Sequence, residues 1–380
     1  GKLKKQLMTT TALVAAGLIG TAGAANAQLK LGLGGFQEAI VGVANNKGPD
    51  GVGRAHQTFD VQHDGEIHFK ASQTLDNGLK IRTRVELESS TQNDQIDEAY
   101  VDISGKWGAI RIGAEDNAAH LMNTPTFGAW ATNVGQNTNF DVTDWVLRPS
   151  GGFVLDLTQR LEVGEGDSEK ISYFTPRVGG LQIGASWIPS GEEEANGSIA
   201  GTEGAGIDVT RAWALGTNYR AKFGGVGVAM AAGYVAGNQP GGQAAGEGGD
   251  RGGDPKGWTT SGAFSFAGVR VAAGYQSRKN ITSFTTGAVA DSNELSFGAK
   301  YDFGKNHIGA GYLLGKAEST RAIAGDDEAQ RLMISYRRDL AKGVQYRLNF
   351  IYADFDGEDN TTLSDDSEGY AVTTSVRVAF

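Results

Sequence analysis

Apolar and polar side chains alternate along most of this chain with a period of two. At the carboxy-terminal end Tyr370, Val372, Thr374, Val376, Val378 and Phe380 share one face, leaving Ala371, Thr373, Ser375, Arg377 and Ala379 on the other. That period is the signature of extended strand, where successive side chains point to opposite sides. From Leu79 to Glu88 the apolar set is Leu79, Ile81, Val85 and Leu87, interrupted by Thr83. Lys80, Arg82, Arg84, Glu86 and Glu88 face the opposite way, and a charged face of this kind needs water beside it. The same reading fits Val269 to Tyr275, Leu295 to Phe303 and Val344 to Tyr352. A soluble sandwich packs the apolar face inward, whereas a membrane barrel turns it out to lipid and lines its lumen with the polar one.

The rhythm of the connections separates those two cases. Tight turns fall at Asp76-Asn77-Gly78, Gly105-Lys106-Trp107-Gly108, Gly179-Gly180, Phe223-Gly224-Gly225, Ala267-Gly268, Gly304-Lys305 and Ala341-Lys342-Gly343. Longer polar segments alternate with them, centred on Asn46 to Gly53, Gln92, Asp116 to Asp167, Gly191 to Gly206, Gly237 to Lys256, Asn280 to Ala290, Ser319 to Glu328 and Asp356 to Asp366. Seven short turns and eight long loops join sixteen strands. Short turns on one rim and long loops on the other predict an all-β fold, a 16-stranded antiparallel transmembrane barrel over residues 28–380.

Composition agrees. Fifty-seven glycines, seven prolines and 21% charged residues are unusual for a water-soluble enzyme of 380 residues, because glycine weakens strand and helix interiors alike. Beyond Gln28 no stretch is long and apolar enough for a membrane helix, but a closed barrel asks for apolar residues only at alternate positions. At the other end Lys2, Lys4 and Lys5 precede the apolar run Leu13 to Ile19 and the small-residue site Ala25-Asn26-Ala27. This layout predicts a secretory signal peptide over residues 1–27. Removing its three lysines, with no acids lost, takes the net charge from −10 to −13, which argues against nucleic acid as a partner. There is no cysteine, so stability must come from the fold.

Catalytic signatures are missing. The chain has no His-Glu-x-x-His metal motif and no Gly-x-Ser-x-Gly elbow. His56, His63 and His68 with Asp60 and Asp64 suggest an acid–base cluster, but several fall on one face of one strand, where a charged lumen wall is the simpler reading. A barrel hydrolase and a non-conducting adhesin barrel are the alternatives to a pore. Small residues at candidate inner positions, such as Gly227, Ala229, Ala231 and Gly233, favour open space or close loop packing over a plugged lumen. No cofactor is expected. Asp354, Asp356, Glu358 and Asp359, and likewise Asp250 and Asp254, offer oxygen ligands for loop-bound calcium, though neither group has the EF-hand spacing.

The segment KISYFTPRVGGLQIGASWIP, Lys170 to Pro189, resembles a hairpin of the general outer-membrane porins of alphaproteobacteria. The terminal Phe380 is similar to the aromatic signal read by barrel-assembly machinery. The resemblance implies a water-filled pore for passive diffusion of small hydrophilic solutes and ions, set among outer-membrane lipid and lipopolysaccharide. It also implies a homotrimer and a third long loop folded into the lumen.

That loop, residues 116–167, is far beyond ordinary connection lengths. It is not low-complexity, and Leu121, Met122, Phe127, Trp130, Phe140, Trp145, Phe153 and Leu157 give it apolar surface to pack against an inner wall. On the family's pattern its acids Asp116, Asp141 and Asp144, with Glu115 beside them, face a basic wall of Lys80, Arg82, Arg84, Lys70, His68 and Arg111. Opposed charges across a narrow aqueous gap favour polar and dipolar solutes. Arg148 and Arg160 are weaker candidates for the same constriction. Two departures stand out. Pro125-Thr126-Phe127-Gly128 has threonine where enteric porins carry glutamate, and the loop at Ser89 to Asp94 is shorter than the subunit-latching loop of some relatives. Trp107, Trp187, Trp213 and Trp258 lie near strand ends and suit an interfacial aromatic belt.

Overall fold

Strands form wherever the two-residue alternation runs, and they stop at the glycine turns and polar loops. In the computed structural model the described residues are 29–47, 58–89, 95–124, 126–128, 134, 145–147, 149, 161–163, 166–191, 209–238, 254–282, 289–318, 325–357 and 366–380. The first five strands are β1 (Lys30–Lys47), β2 (Phe59–Thr74), β3 (Lys80–Glu88), β4 (Ile96–Gly105) and β5 (Gly108–Ala114). A short helix, α1 (Ala118–Asn123), follows. The wall continues with β6 (Glu169–Phe174), β7 (Leu181–Ser190), β8 (Thr210–Phe223), β9 (Val226–Asn238), β10 (Lys256–Phe266) and β11 (Val269–Thr282). It finishes with β12 (Val289–Phe303), β13 (Asn306–Glu318), β14 (Asp326–Ala341), β15 (Val344–Asp356) and β16 (Ser367–Ala379).

Each strand pairs antiparallel with its neighbours in sequence, and β1 pairs with β16, so the sheet closes on itself. The seam runs from Phe36 opposite Ala379 to Lys47 opposite Glu368. Gly35 and Phe380 complete it by exchanging two backbone hydrogen bonds of 3.1 Å. Closure matters energetically, because an open edge in lipid leaves backbone donors and acceptors without water. All seven expected tight turns occur, and at the first of them Gly78 adopts φ +83 while the Asn77 side chain accepts from the Leu79 N–H.

The faces are inverted relative to a soluble protein. On β16 the outward Tyr370, Val372, Val376 and Val378 are exposed, while Ala371, Thr373 and Ser375 are buried on the lumen side. Outward Leu295, Phe297, Tyr301 and Phe303 on β12 are likewise exposed, and Ser292, Glu294 and Ser296 are buried inside. Trp187, Trp213 and Trp258 all stand outward near strand ends, the last two against Tyr234 and Tyr275 with ring centroids 5.2 Å apart. Trp107 stacks on Tyr173 at the opposite rim. These positions fit the belt expected of amphipathic rings at a lipid–water boundary.

The described residues of the third loop lie against the inner wall of the barrel. Asn117 caps α1, its side-chain oxygen accepting from the N–H groups of Ala119 and His120. The helix lies on the inner faces of β8 and β9, where small residues make room. A Cβ on Gly216 would overlap the Ala118 carbonyl, and one on Gly233 would press on Ala119. Past the helix, Asn123 donates to Thr259 on β10 at 3.1 Å, and Thr126 bonds Ser261 at 2.7 Å. Phe127, fully buried, sits over Gly274 of β11. Across the barrel, Trp145 packs on Gly42 of β1, in a buried cluster with Ile40, Met333, Ile351 and Phe355. The loop's described residues thus meet the inner wall at separated points around the lumen.

Candidate functional site

The predicted basic wall forms on the lumen faces of β2, β3 and β5, because strand register brings alternate residues of neighbours side by side. Lys70 stands opposite Arg84, Ser72 opposite Arg82, and Asp102 of β4 opposite both Arg82 and Arg111. Lys30, Lys70, Arg82, Arg84 and Arg111 surround one recess of about 370 Å³, in which Asp102 is the acid of the lining. Arg82 keeps a 2.8 Å ion pair with Asp102 yet leaves nearly half its side chain exposed to the lumen. Arg111 lies over the Tyr100 ring at 4.1 Å, a cation–π contact that fixes the guanidinium plane.

The predicted row does not act as one unit. Lys80 stands exposed at the rim and does not line the recess. Arg84 turns toward Glu86, with which its Nε makes an ion pair, and its Nη2 lies 3.3 Å from Nδ1 of His68. His68 in turn meets Glu66 at 2.7 Å. Elsewhere on the wall, cations are buried in pairs, as Arg278 with Glu294 and Arg347 with Glu38. The recess differs from them in its surplus of positive charge.

The acids of the loop's first turn sit beside the bases. Glu115, the first residue past β5, is buried, pairs with Arg111 and lies against Glu98. Burial, and then the neighbouring Glu98 carboxylate, push its carboxyl up to about 8 against the pull of Arg111. Asp116 meets His120 of α1 at 3.3 Å. Asp141, Asp144, Arg148 and Arg160 lie outside the described residues. Thr126 explains the departure from the enteric motif: it is fully buried, donating to the Asn123 carbonyl and bonding Ser261. A carboxylate there would be desolvated, so the position serves docking of the loop.

Sequence reading placed Glu86 on the charged face of its strand but missed Lys30, Glu66, Glu98, Tyr100 and Asp102 as parts of this wall. The alternation from Glu98 to Ser104 carries the signal for the last three, since even positions there face the lumen; a register shift against β3 breaks that parity at Ile96 and Asp97. The acid–base cluster divides: His63 lies on the outer face, bonding the Ser89 carbonyl, while Asp64 shares the lumen side with Glu38. His56 lies outside the described residues.

The sequence profile of the Gram-negative porin family matches residues 9–377. The chain belongs to that family. Solved structures agree on the fold. The anion-selective porin of Comamonas acidovorans is 16% identical with a TM-score of 0.62, over 93% of this chain and all of the other. Salmonella typhi OmpF, solved with daunomycin, is 15% identical with a TM-score of 0.61, over 93% and 98%. The trimer form of the Vibrio cholerae outer-membrane protein OmpT is 11% identical with a TM-score of 0.57, over 93% and 99%. No curated protein sequence matches the chain. This porin is an integral protein of the bacterial outer membrane, and its wet lumen is a channel for passive diffusion.

Proposed function

We propose that this porin passes small hydrophilic solutes and ions without catalysis, and that its basic recess makes anions the favoured ions. The observation that supports this is five cations around one recess with a single lining acid. In a lumen narrowed by an inward loop, such local charge governs ion preference more than the chain's net charge does. His68, Lys80, Glu115 and Asp116 tune that field from its margins. The anion preference named for the Comamonas porin is consistent with this reading.

A homotrimer is part of the proposal. β5 has seven residues and β6 has six, whereas about nine to eleven are needed for a tilted strand to cross the bilayer. A second copy of the chain is a natural cover for that low stretch of wall, and a heat-modifiable band near three times the monomer mass tests it. In a planar bilayer under a salt gradient, the purified protein is expected to insert in conductance steps with a reversal potential of anionic sign. An intact but electrically silent barrel overturns the channel reading and raises the adhesin or the hydrolase. A cationic sign overturns the role given to the recess.

A further inference from the structure

Above the basic recess, toward the long-loop rim, β2 and β3 carry acids instead. Glu66 and His68, two apart on β2, share the lumen face, and register sets Glu88 opposite Glu66 and Glu86 opposite His68. Nε2 of His68 lies 2.7 Å from a Glu66 oxygen and 3.3 Å from a Glu86 oxygen. All three residues offer a ligand atom within 4.8 Å of the others. Glu66 belongs also to a second such group with Glu88 and Asp97. Glu86 is 3% exposed, and its Oε1 makes no hydrogen bond, its contact there being the ion pair with Arg84.

We propose that Glu66, His68 and Glu86 form a binding site for a divalent transition-metal ion, of which Zn²⁺ is the probe, opening on the lumen. Imidazole with two carboxylates is a donor set that zinc accepts, leaving a fourth position for lumen water. Tetrahedral ligands at ordinary zinc distances lie about 3.3 to 3.4 Å apart, which the Glu86 oxygen already meets at 3.3 Å from His68 Nε2, while the Glu66 oxygen at 2.7 Å has to withdraw by about half an ångström. Neighbouring strand positions hold the three side chains in place, which suits metal binding better than a loop does. Buried Glu86 has Arg84 as its counter-cation, at one positive charge, and the half-buried Glu66 stands beside the pair across His68. A divalent ion in its place balances both carboxylates and releases the guanidinium to the recess below. Occupancy therefore adds positive charge to the lumen.

Calorimetric titration of the untagged, full-length protein with Zn²⁺ in detergent tests the site. A site with one equivalent per chain is expected, weakened at least about tenfold in His68→Ala and in Glu86→Gln, as loss of a direct ligand should cost no less than loss of a supporting group. Arg84→Met is expected to bind more tightly, because the competing cation is gone. Equal zinc affinity in the wild type and both ligand variants overturns the proposal, and so does weaker binding in Arg84→Met. The use of two ligand variants keeps the test decisive if one fails to fold. The effect on conduction rests on the channel reading, and a bilayer recording separates the two. Micromolar Zn²⁺ should move the reversal potential further toward anions, reversibly with chelator. A protein that binds zinc but is silent refutes the channel and leaves the site; one that conducts without binding zinc does the reverse.

Discussion

Neutralising Arg82 and Arg84 together, as Arg82→Gln with Arg84→Gln, should move the channel strongly toward cations. A sphere of the recess volume has a radius of about 4.5 Å, so an ion at its centre lies about 7 Å from a lining guanidinium. At that distance in water a unit charge contributes about 0.6 kcal/mol, and screening at 0.1 M salt roughly halves it. Two charges act with opposite sign on cation and anion, so the difference between them changes by about 1.2 kcal/mol. That corresponds to a change of about 5- to 10-fold in the anion-to-cation permeability ratio. The existing ion pairs do not cancel the effect, because each substitution removes one full positive charge while Asp102, still beside Arg111, and Glu86, still beside His68, keep their own charges. The assay is the reversal potential of single insertions in a salt gradient centred near 0.1 M, repeated near 1 M, where a Debye length of about 3 Å should suppress most of the shift. A ratio changed by less than about twofold at the lower salt would refute the placing of these residues on the conduction path. An equal shift at both salts would show a change of shape instead of charge.

Other consequences can be checked on the same footing. Gly216→Val puts a branched side chain where the Ala118 carbonyl lies, so overpacking of about 1–3 kcal/mol should lower the thermal midpoint and alter unit conductance, whereas no change in either would mean that α1 does not bear on β8. Trp145→Ala empties a buried site between the loop and β1, a loss of about 3–5 kcal/mol, and conductance traces should become noisier as the loop loses that anchor. With its carboxyl at about 8, Glu115 is neutral at pH 6 and charged at pH 9, so anion preference should fall over that range and the dependence should flatten in Glu115→Gln. The folded state holds this proton more tightly than an unfolded chain with the ordinary value of 4.5, so the residue's linkage lowers stability as pH climbs from that value through 8. Denaturation midpoints of wild type and Glu115→Gln at pH 6 and pH 9 read that sign.

The barrel was legible because strand alternation is a local property. Tyr370 to Phe380 announces an outward apolar face in its own spelling, and turns such as Asp76-Asn77-Gly78 mark where each strand must stop, since few other residues accept the backbone they require. Lys70, Arg82, Arg84 and Arg111 could be assigned to the lumen on the same grounds, by parity alone. Parity does not say what each side chain meets there. That Arg84 leans to His68 and Glu86, that Lys80 stays at the rim, and that Lys30 joins the recess from the closing strand all depend on register and on closure between residues far apart in the chain. The long loop shows the same division most sharply. Its apolar residues promised that it would pack somewhere, but only the tertiary structure set α1 against Gly216 and Trp145 against Gly42, because the fit of a side chain into a glycine gap on a distant strand has no local signature. Local spelling thus determined which face every strand turns to the water, while closure of the sheet around the loop decided which charges that water meets.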